Sequence, residues 1–233
     1  MAHQRRRLDS ELVRRGLVSS RAAATEAISG GRVRVAGTIA DKASRLVSPS
    51  ESLSLDGPPA RFVGRGGEKL LAAFEAHPFL VETSRDARAV DCGSSTGGFT
   101  DCLLQHGAKS VLSVDVGRGQ LHQRLLTDER VTSLERTDIR QFAEQYEGES
   151  FDVLVADLSF ISLTTVSTAL VRLCAAKAPM VLLVKPQFEV GREIVSAGKG
   201  VVGRDEDRQL AIDRVRTTFE ALGCDTIGVM ECP

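Results

Sequence analysis

The chain has no C-x-x-C pair, no apolar run long enough to cross a bilayer and almost no net charge. Its five cysteines (Cys92, Cys102, Cys174, Cys224 and Cys232) form an odd, scattered set, which argues against a disulfide framework and a zinc site and points to a reducing cytoplasm. His3, His77, His106 and His122 show no ligand spacing, so no metal is expected. A membrane span needs roughly 20 apolar residues, and the basic Arg5-Arg6-Arg7 is not followed by an apolar stretch of signal-peptide length. A cytoplasmic protein without stable membrane insertion is expected.

What is present is ordinary globular composition. Hydrophobic residues make up 42% and charged residues 26% of 233, which excludes wholesale disorder and suits one core-building domain with a small appendage. The net charge of −1 is unevenly divided. Residues 1–60 hold 10 Lys/Arg against 6 Asp/Glu, while residues 61–233 hold 20 against 25. A basic module that recruits a polyanion to an acidic catalytic body fits that asymmetry.

The basic module reads as helix, helix, hairpin. Leu8, Leu12 and Val13 give a first helix its apolar face, and Ser19 or Ser20 caps a second that runs to Gly30-Gly31. Val33 and Val35 then alternate with Arg32 and Arg34, and Ala36-Gly37-Thr38 suits a turn. After a short strand at Leu53-Ser54-Leu55, Asp56-Gly57-Pro58-Pro59 breaks the chain. We place the first domain at residues 1–60, a linker at 61–64 and the second domain at 65–233.

The second domain alternates strands with helices, which predicts an α/β, Rossmann-like, doubly wound parallel sheet. Strands are expected at 88–92, 111–114, 131–134, 151–156, 179–184 and 225–230, with helices at 164–176 and 204–222 among others. Between the first of these strands and the helix at 100–106 lies Gly93-Ser94-Ser95-Thr96-Gly97-Gly98-Phe99. Glycines let a backbone approach a ligand, and amides at a helix start can donate to it. The spacing is not G-x-G-x-x-G and no Gly-Lys-Ser/Thr follows, which weakens dinucleotide and triphosphate readings. Asp115, about twenty residues further on, is placed to hold ribose hydroxyls of an adenosine ligand, and Asp138 to accept from an adenine amino group. Residues 117–121 either shape that pocket or form a helix-start turn, and residues 191–203 are either a lid or a plain loop.

Three charges stand at the ends of elements. Lys69 follows Gly64-Arg65-Gly66-Gly67, Asp157 ends Val153-Leu154-Val155-Ala156, and Lys185 ends Met180-Val181-Leu182-Leu183-Val184. Charges beyond the carboxyl ends of parallel strands converge on one crevice. Lys69, in a first helical turn, opposes the helix dipole, which hints at a compensating use.

Two resemblances follow from these residues. The pattern from Leu12, Arg15, Gly16 and Leu17 through Ser20, Arg21, Ala24, Ile28 and Gly31 to Val33, Val35 and Gly37 resembles the RNA-binding domain named after ribosomal protein S-four. That resemblance implies a small α+β domain with a positive surface at Arg5, Arg6, Arg14, Arg15, Arg21, Arg32 and Arg34. Such contacts to phosphate supply affinity with little sequence information. The lack of stacking aromatics there argues for shape recognition of folded RNA.

Over essentially the whole chain, Asp91-Cys92-Gly93-Ser94-Ser95-Thr96-Gly97-Gly98-Phe99-Thr100, Ala156-Asp157-Leu158-Ser159-Phe160-Ile161-Ser162 and Val184-Lys185-Pro186-Gln187-Phe188-Glu189 closely resemble the TlyA, or haemolysin A, family. The resemblance implies an FtsJ-like methyltransferase with S-adenosylmethionine as methyl donor. Its substrate would be rRNA in ribosomal subunits, methylated on ribose 2′-oxygens of cytidines. By the same resemblance Lys69, Asp157 and Lys185 are catalytic, and Asp91, Gly93, Ser94, Thr96, Gly97, Gly98, Phe99, Asp115 and Asp138 hold the donor. Lys185 suits the base, since a second ammonium at Lys69 and partial burial both favour a neutral amine, while Asp157 orients it.

The family's fourth catalytic position, a glutamate after a Gly-Asn segment on the last strand, has no counterpart before Glu231-Cys232-Pro233. Neither Glu189 nor Glu231 fills it. The resemblance therefore implies a missing terminal strand pair and reduced or no activity. Two other classes are weighed: a non-catalytic RNA-binding or ribosome-assembly factor, and a membrane-lytic haemolysin, which the absence of an apolar span or strongly amphipathic cationic helix disfavours.

Overall fold

The computed structural model describes residues 5–18, 20–57, 61–191 and 202–233. The lid or loop expected at 191–203 lies almost wholly outside them. The chain divides into two compact units, Met1–Gly64 and Arg65–Pro233. Among the described residues, no helix is long and apolar enough to cross a membrane.

The first unit comprises β1 (Arg6–Arg7), α1 (Leu8–Arg14), α2 (Arg21–Ser29), β2 (Val33–Val35), β3 (Thr38–Ile39), β4 (Leu46–Val47) and β5 (Leu53–Leu55). Ser20 caps α2, its side chain accepting from the Ala23 amide, as a serine in extended backbone does. β2 lies between β3 and β5, antiparallel to both. The hairpin between β2 and β3 turns on Ala36 (φ 49°) and Gly37 (φ 81°), the two left-handed residues that a two-residue type I′ turn requires. Leu8, Leu12, Ala24, Ala27, Ile28, Val33, Val35 and Val47 form one apolar cluster. Val13 is only half-buried, so Leu8 and Leu12 carry the helix face alone. The pairing of β1 with β4 was not expected from the sequence.

Two acids of α1, Asp9 and Glu11, are buried. Asp9 accepts from Arg7 and Arg21, and Glu11 accepts a fork from Arg14 and a further bond from Arg15. The Arg14 hydrogen bonds hold the Glu11 carboxyl down at about 2 against the opposing effect of burial, and Arg7 acts likewise on Asp9. A carboxyl lowered in the folded state contributes stability that is present above its unfolded value and lost as pH falls through the folded one. The first unit should therefore lose stability as pH falls from about 4.5 to about 2. Thermal melts by circular dichroism should show this limb in the parent chain and a flatter one in Glu11→Gln.

The second unit carries a five-stranded, wholly parallel sheet in the order β10-β9-β6-β7-β8. Its strands are β6 (Arg88–Cys92), β7 (Ser110–Val114), β8 (Val131–Leu134), β9 (Val153–Ala156) and β10 (Met180–Leu182). Its helices are α3 (Gly66–Ala76), α4 (Phe79–Ser84), α5 (Gly98–Gln105), α6 (Gln123–Leu126), α7 (Ile139–Gln145), α8 (Leu163–Leu173), α9 (Pro186–Glu189) and α10 (Asp205–Glu220). α3 packs on α5, while α8 packs on α7 and α10. All four residues of β9 are fully buried, which explains its unbroken apolar sequence, since strands covered on both faces need no alternation.

The chain winds from β6 outward to β7 and β8, then returns to place β9 on the other side of β6. The reversal leaves a seam between β6 and β9. In open α/β sheets the ligand crevice lies at that seam, beyond the carboxyl ends of the strands.

The strand expected at 225–230 does not form. Residues 224–233 have no regular structure, and Ile227, Val229 and Met230 are exposed. A Cβ placed on Gly228 would meet the His77 ring at 2.6 Å, so the segment passes the end of α3 and makes no ladder with β10. Alternating apolar residues predict a strand only where a partner strand takes up their hydrogen bonds.

Candidate active site

The seam is built by glycines that let three loops touch. Gly93, at φ 85°, follows β6, and a Cβ there would lie 2.9 Å from the Asp157 carbonyl oxygen. The loops after β6 and β9 are therefore in backbone contact. At Gly98 a Cβ would come within 2.7 Å of the Gly67 nitrogen and 2.9 Å of the Gly66 Cα. This close approach brings the first turn of α3, and with it Lys69, to the same seam.

There the three charges meet. Lys69 Nζ donates to Asp157 Oδ2 at 3.0 Å, and Lys185 Nζ lies 2.6 Å from Asp157 Oδ1. The second contact is an ion pair whose angles fall outside those of a hydrogen bond; Lys185 Nζ donates to Ser159 Oγ at 2.7 Å. The side chains of Lys69, Asp157 and Lys185 are 29%, 19% and 20% exposed, shielded enough to interact strongly yet open to a substrate. Asp157 is the compensation that Lys69 needs at a helix start. One carboxylate shared by two ammonium groups leaves one positive charge unmatched.

The residues expected around the donor fall into two groups. Ser94 and Asp115 line a shallow crevice together with Ser95, Gln120, Ser133 and Glu135. Asp115 ties its walls together, Oδ2 accepting from the Ser95 amide at 2.7 Å and Oδ1 from the Gly117 amide at 2.6 Å. Gln120 Oε1 accepts from Ser95 Oγ at 3.1 Å. Thr96, half-buried, accepts at its carbonyl from the His122 amide.

Asp91, Gly97, Gly98 and Phe99 lie beneath the loop and are buried. Asp91 Oδ2 accepts from the Thr100 amide at 3.0 Å and from Thr100 Oγ1 at 2.7 Å, so it secures the start of α5. Burial pushes the Asp91 carboxyl up to about 7, the Thr100 hydrogen bonds oppose this, and the charges of Asp157 and Asp115 add to it. A Cβ on Gly97, at φ 92°, would run into Leu125 and Leu121. Asp138 caps α7 and is forked by Arg140, whose hydrogen bonds hold its carboxyl down at about 2. Its oxygens are thus already engaged with Arg140.

The arginines of the first unit also divide. Arg14, Arg21 and Arg34 pair with Glu11, Asp9 and Asp56. Arg15 is a structural bracket, donating to Glu11 and to the carbonyls of Ser48, Pro49 and Glu51. Arg5, Arg6 and Arg32 are exposed, each with no ion pair among the described residues.

Sequence reasoning gave no role to Ser159 or Phe160, set Glu189 aside, and left Gln120 between a pocket wall and a helix-start turn. Phe160 is 92% exposed at φ 66°, its ring 5.5 Å from that of Phe188. A bulky residue in left-handed backbone is unusual enough to signal a site, but no sequence pattern reveals a φ angle. Elsewhere, a depression of about 250 Å³ beside Asp101, Arg124, Asp128 and Arg130 has its charges matched, Arg124 to Asp101 and Arg130 to Asp128.

A parallel sheet of this order, with a glycine-lined crevice at its seam and no phosphate-grasping lysine in the turn, defines the Rossmann-like methyltransferase class. Residues 62–233 match the FtsJ-like methyltransferase family, and residues 6–53 the S4 domain. The 16S/23S rRNA (cytidine-2′-O)-methyltransferase TlyA of Mycobacterium tuberculosis strain H37Rv is 44% identical over 231 residues, spanning 99% of this chain and 85% of that protein. Hemolysin A of Brachyspira hyodysenteriae is 37% identical over 201 residues, or 86% of this chain and 81% of its own. A solved structure of a hemolysin-named protein from Streptococcus thermophilus superposes with a TM-score of 0.70 at 35% identity, covering 95% of this chain and 80% of that one. The chain belongs to the FtsJ-like methyltransferase family and, with its S4 domain, groups with the TlyA proteins.

Proposed function

We propose that this chain transfers a methyl group from S-adenosylmethionine to the 2′-oxygen of a cytidine ribose in rRNA, with the first unit holding structured RNA. The observation that carries the reading is the meeting of Lys69, Asp157 and Lys185 beside the glycine turn. A donor site is supported by the polar crevice beside that turn, lined by Ser94, Ser95, Asp115, Gln120 and Glu135, while Gly93, Gly97 and Gly98 let the surrounding elements pack closely enough to form it. When bound there, the donor supplies a strongly electrophilic methyl group.

The protein's own residues then orient a weak nucleophile. Two ammonium groups on one carboxylate favour whatever removes a positive charge or adds a negative one. With Lys185 as the neutral amine, its Nζ would accept the proton of a ribose hydroxyl docked against it as the C–O bond forms and the donor's C–S bond breaks to release a thioether, while Asp157 and Ser159 hold that amine in line. Positioning carries much of the effect, because aligned reactants a few ångström apart avoid the entropy of encounter. The proposal rests on these three side chains. Phe160 offers its exposed ring to a base of the docked RNA, and such stacking contributes about 1–3 kcal/mol.

The test is mass-spectrometric mapping of 2′-O-methylcytidine in unmethylated ribosomal subunits incubated with purified protein and S-adenosylmethionine. New modification at discrete cytidines is expected, and Phe160→Ala should raise the KM for the RNA about tenfold with donor affinity unchanged. Donor binding without ribose methylation would overturn the reading in favour of an RNA-binding factor.

A further inference from the structure

The mechanism uses Asp157 and Lys185 but does not explain what fixes their loops to one another. Each follows a different strand: Asp157 comes directly after β9, and Lys185 stands three residues past β10 and caps α9. Glu189 bridges them. It is 2% exposed, and its carboxylate is divided between two donors of the Asp157 loop. Oε1 accepts from the Leu163 amide at 2.8 Å, and Oε2 from Ser162 Oγ at 2.5 Å. Ser162 Oγ also accepts from the Thr164 amide at 3.1 Å and lies 2.6 Å from Thr164 Oγ1; because a carboxylate can only accept, the Ser162 proton goes to Glu189 and the Thr164 hydroxyl donates to Ser162. The first two amides of α8 are thereby satisfied, one directly and one through Ser162, and a negative charge sits where the helix dipole favours it.

On the other side, Glu189 is the last residue of α9, the single helical turn that Lys185 caps. The Glu189 carbonyl accepts from Arg214 Nη1 of α10 at 2.8 Å, which locks that turn from behind. The path from Lys185 to Asp157 thus runs through one turn of helix, one buried carboxylate and the five residues before Ser162.

We propose that Glu189 is a positioning residue for methyl transfer, a clamp that sets the spacing of Lys185 Nζ against Asp157 and Ser159. This rests on the functional reading above. A carboxylate is needed because it accepts both bonds at once. In Glu189→Gln the single amide oxygen serves one donor and the NH2 group faces the other, while Glu189→Ala leaves both donors buried and unmatched.

The experiment compares the full-length parent chain with Glu189→Gln, Glu189→Ala and Ser162→Ala, using steady-state kinetics on ribosomal subunits, calorimetric titration with S-adenosylmethionine and hydrogen-exchange mass spectrometry. The expected result is a kcat about tenfold lower in Glu189→Gln and Ser162→Ala and about hundredfold lower in Glu189→Ala, with KM for the subunits and donor affinity within about twofold. Peptides covering 157–163 and 185–189 should exchange faster, and those covering 93–105 should not change. Full kcat in folded Glu189→Gln, or loops that exchange as in the parent, would overturn the clamp. If the parent itself transfers no methyl group the functional reading fails, and the exchange measurements alone decide the clamp.

Discussion

Lys185→Ala lowers methyl transfer by about a thousandfold or more while leaving donor and RNA binding nearly unchanged. Removing a positioned proton acceptor typically costs 10²–10⁴ in rate, and this variant also removes one of the two cations on Asp157. The remaining Lys69–Asp157 pair is then neutral and no longer favours loss of a proton from the substrate. Lys69→Ala keeps the proposed acceptor and should be less severe, because Lys185 still reaches Ser159 and Asp157. Single-turnover transfer of labelled methyl groups, alongside calorimetric titration with S-adenosylmethionine, separates the two effects. Turnover by Lys185→Ala within a few-fold of the parent would remove Lys185 from the chemistry and shift the proton to another acceptor.

Gly93→Val should be the other severe lesion, through backbone geometry and not through lost charge. Two costs coincide at this position. Its φ of 85° lies in the left-handed region, which is least accessible to a β-branched residue. A Cβ would also stand 2.9 Å from the Asp157 carbonyl oxygen and 3.1 Å from Leu158, so either the β6 loop or the β9 loop must move. A shift of about 1 Å at a reacting group costs on the order of 10²-fold in rate, and overpacking a tight site costs about 1–3 kcal/mol in stability. Both donor binding and turnover should fall by at least about a hundredfold. Gly119→Ala is the matched control. It too has a positive φ, of 63°, but nothing lies within 4 Å of the added carbon, so only the local backbone cost remains and donor affinity should change by a few-fold at most. Equal behaviour of the two variants in a titration would show that conformation, not the approach of the two loops, makes Gly93 necessary.

Much of the site could be read from the chain because its parts are local. A strand, a glycine run and a helix start announce themselves within about a dozen residues, and Lys69, Asp157 and Lys185 each end a recognisable element. What brings them together is not local. The approach of Gly98 to Gly66 and Gly67 is a contact between segments that sequence patterns treat as independent. The N-terminal unit shows the limit more sharply. Asp9 and Glu11 read as ordinary charges on a solvated helix face, yet they are buried anchors, and three arginines expected at the RNA surface, Arg14, Arg15 and Arg21, are engaged by them together with Arg7. The resemblance puts Asp91 among the donor residues, and what the sequence does not reveal is that its carboxylate accepts from Thr100 at the start of α5. The strand anticipated at 225–230 failed for the opposite reason: its period was right, and the neighbour that would complete its hydrogen bonds was not supplied by β10.

The late return of β9 to the flank of β6 bears on how the protein comes into being. Ala89 pairs with Val153 and Cys92 with Ala156, so the middle of the sheet joins segments more than sixty residues apart. Contacts of such sequence separation form slowly, because a long loop must close before they reward it. On a translating ribosome the half that carries the glycine turn emerges well before its neighbour strand. The nascent chain therefore lacks an assembled charge cluster: Asp157 reaches Lys69 only in the event that zips β9 onto β6.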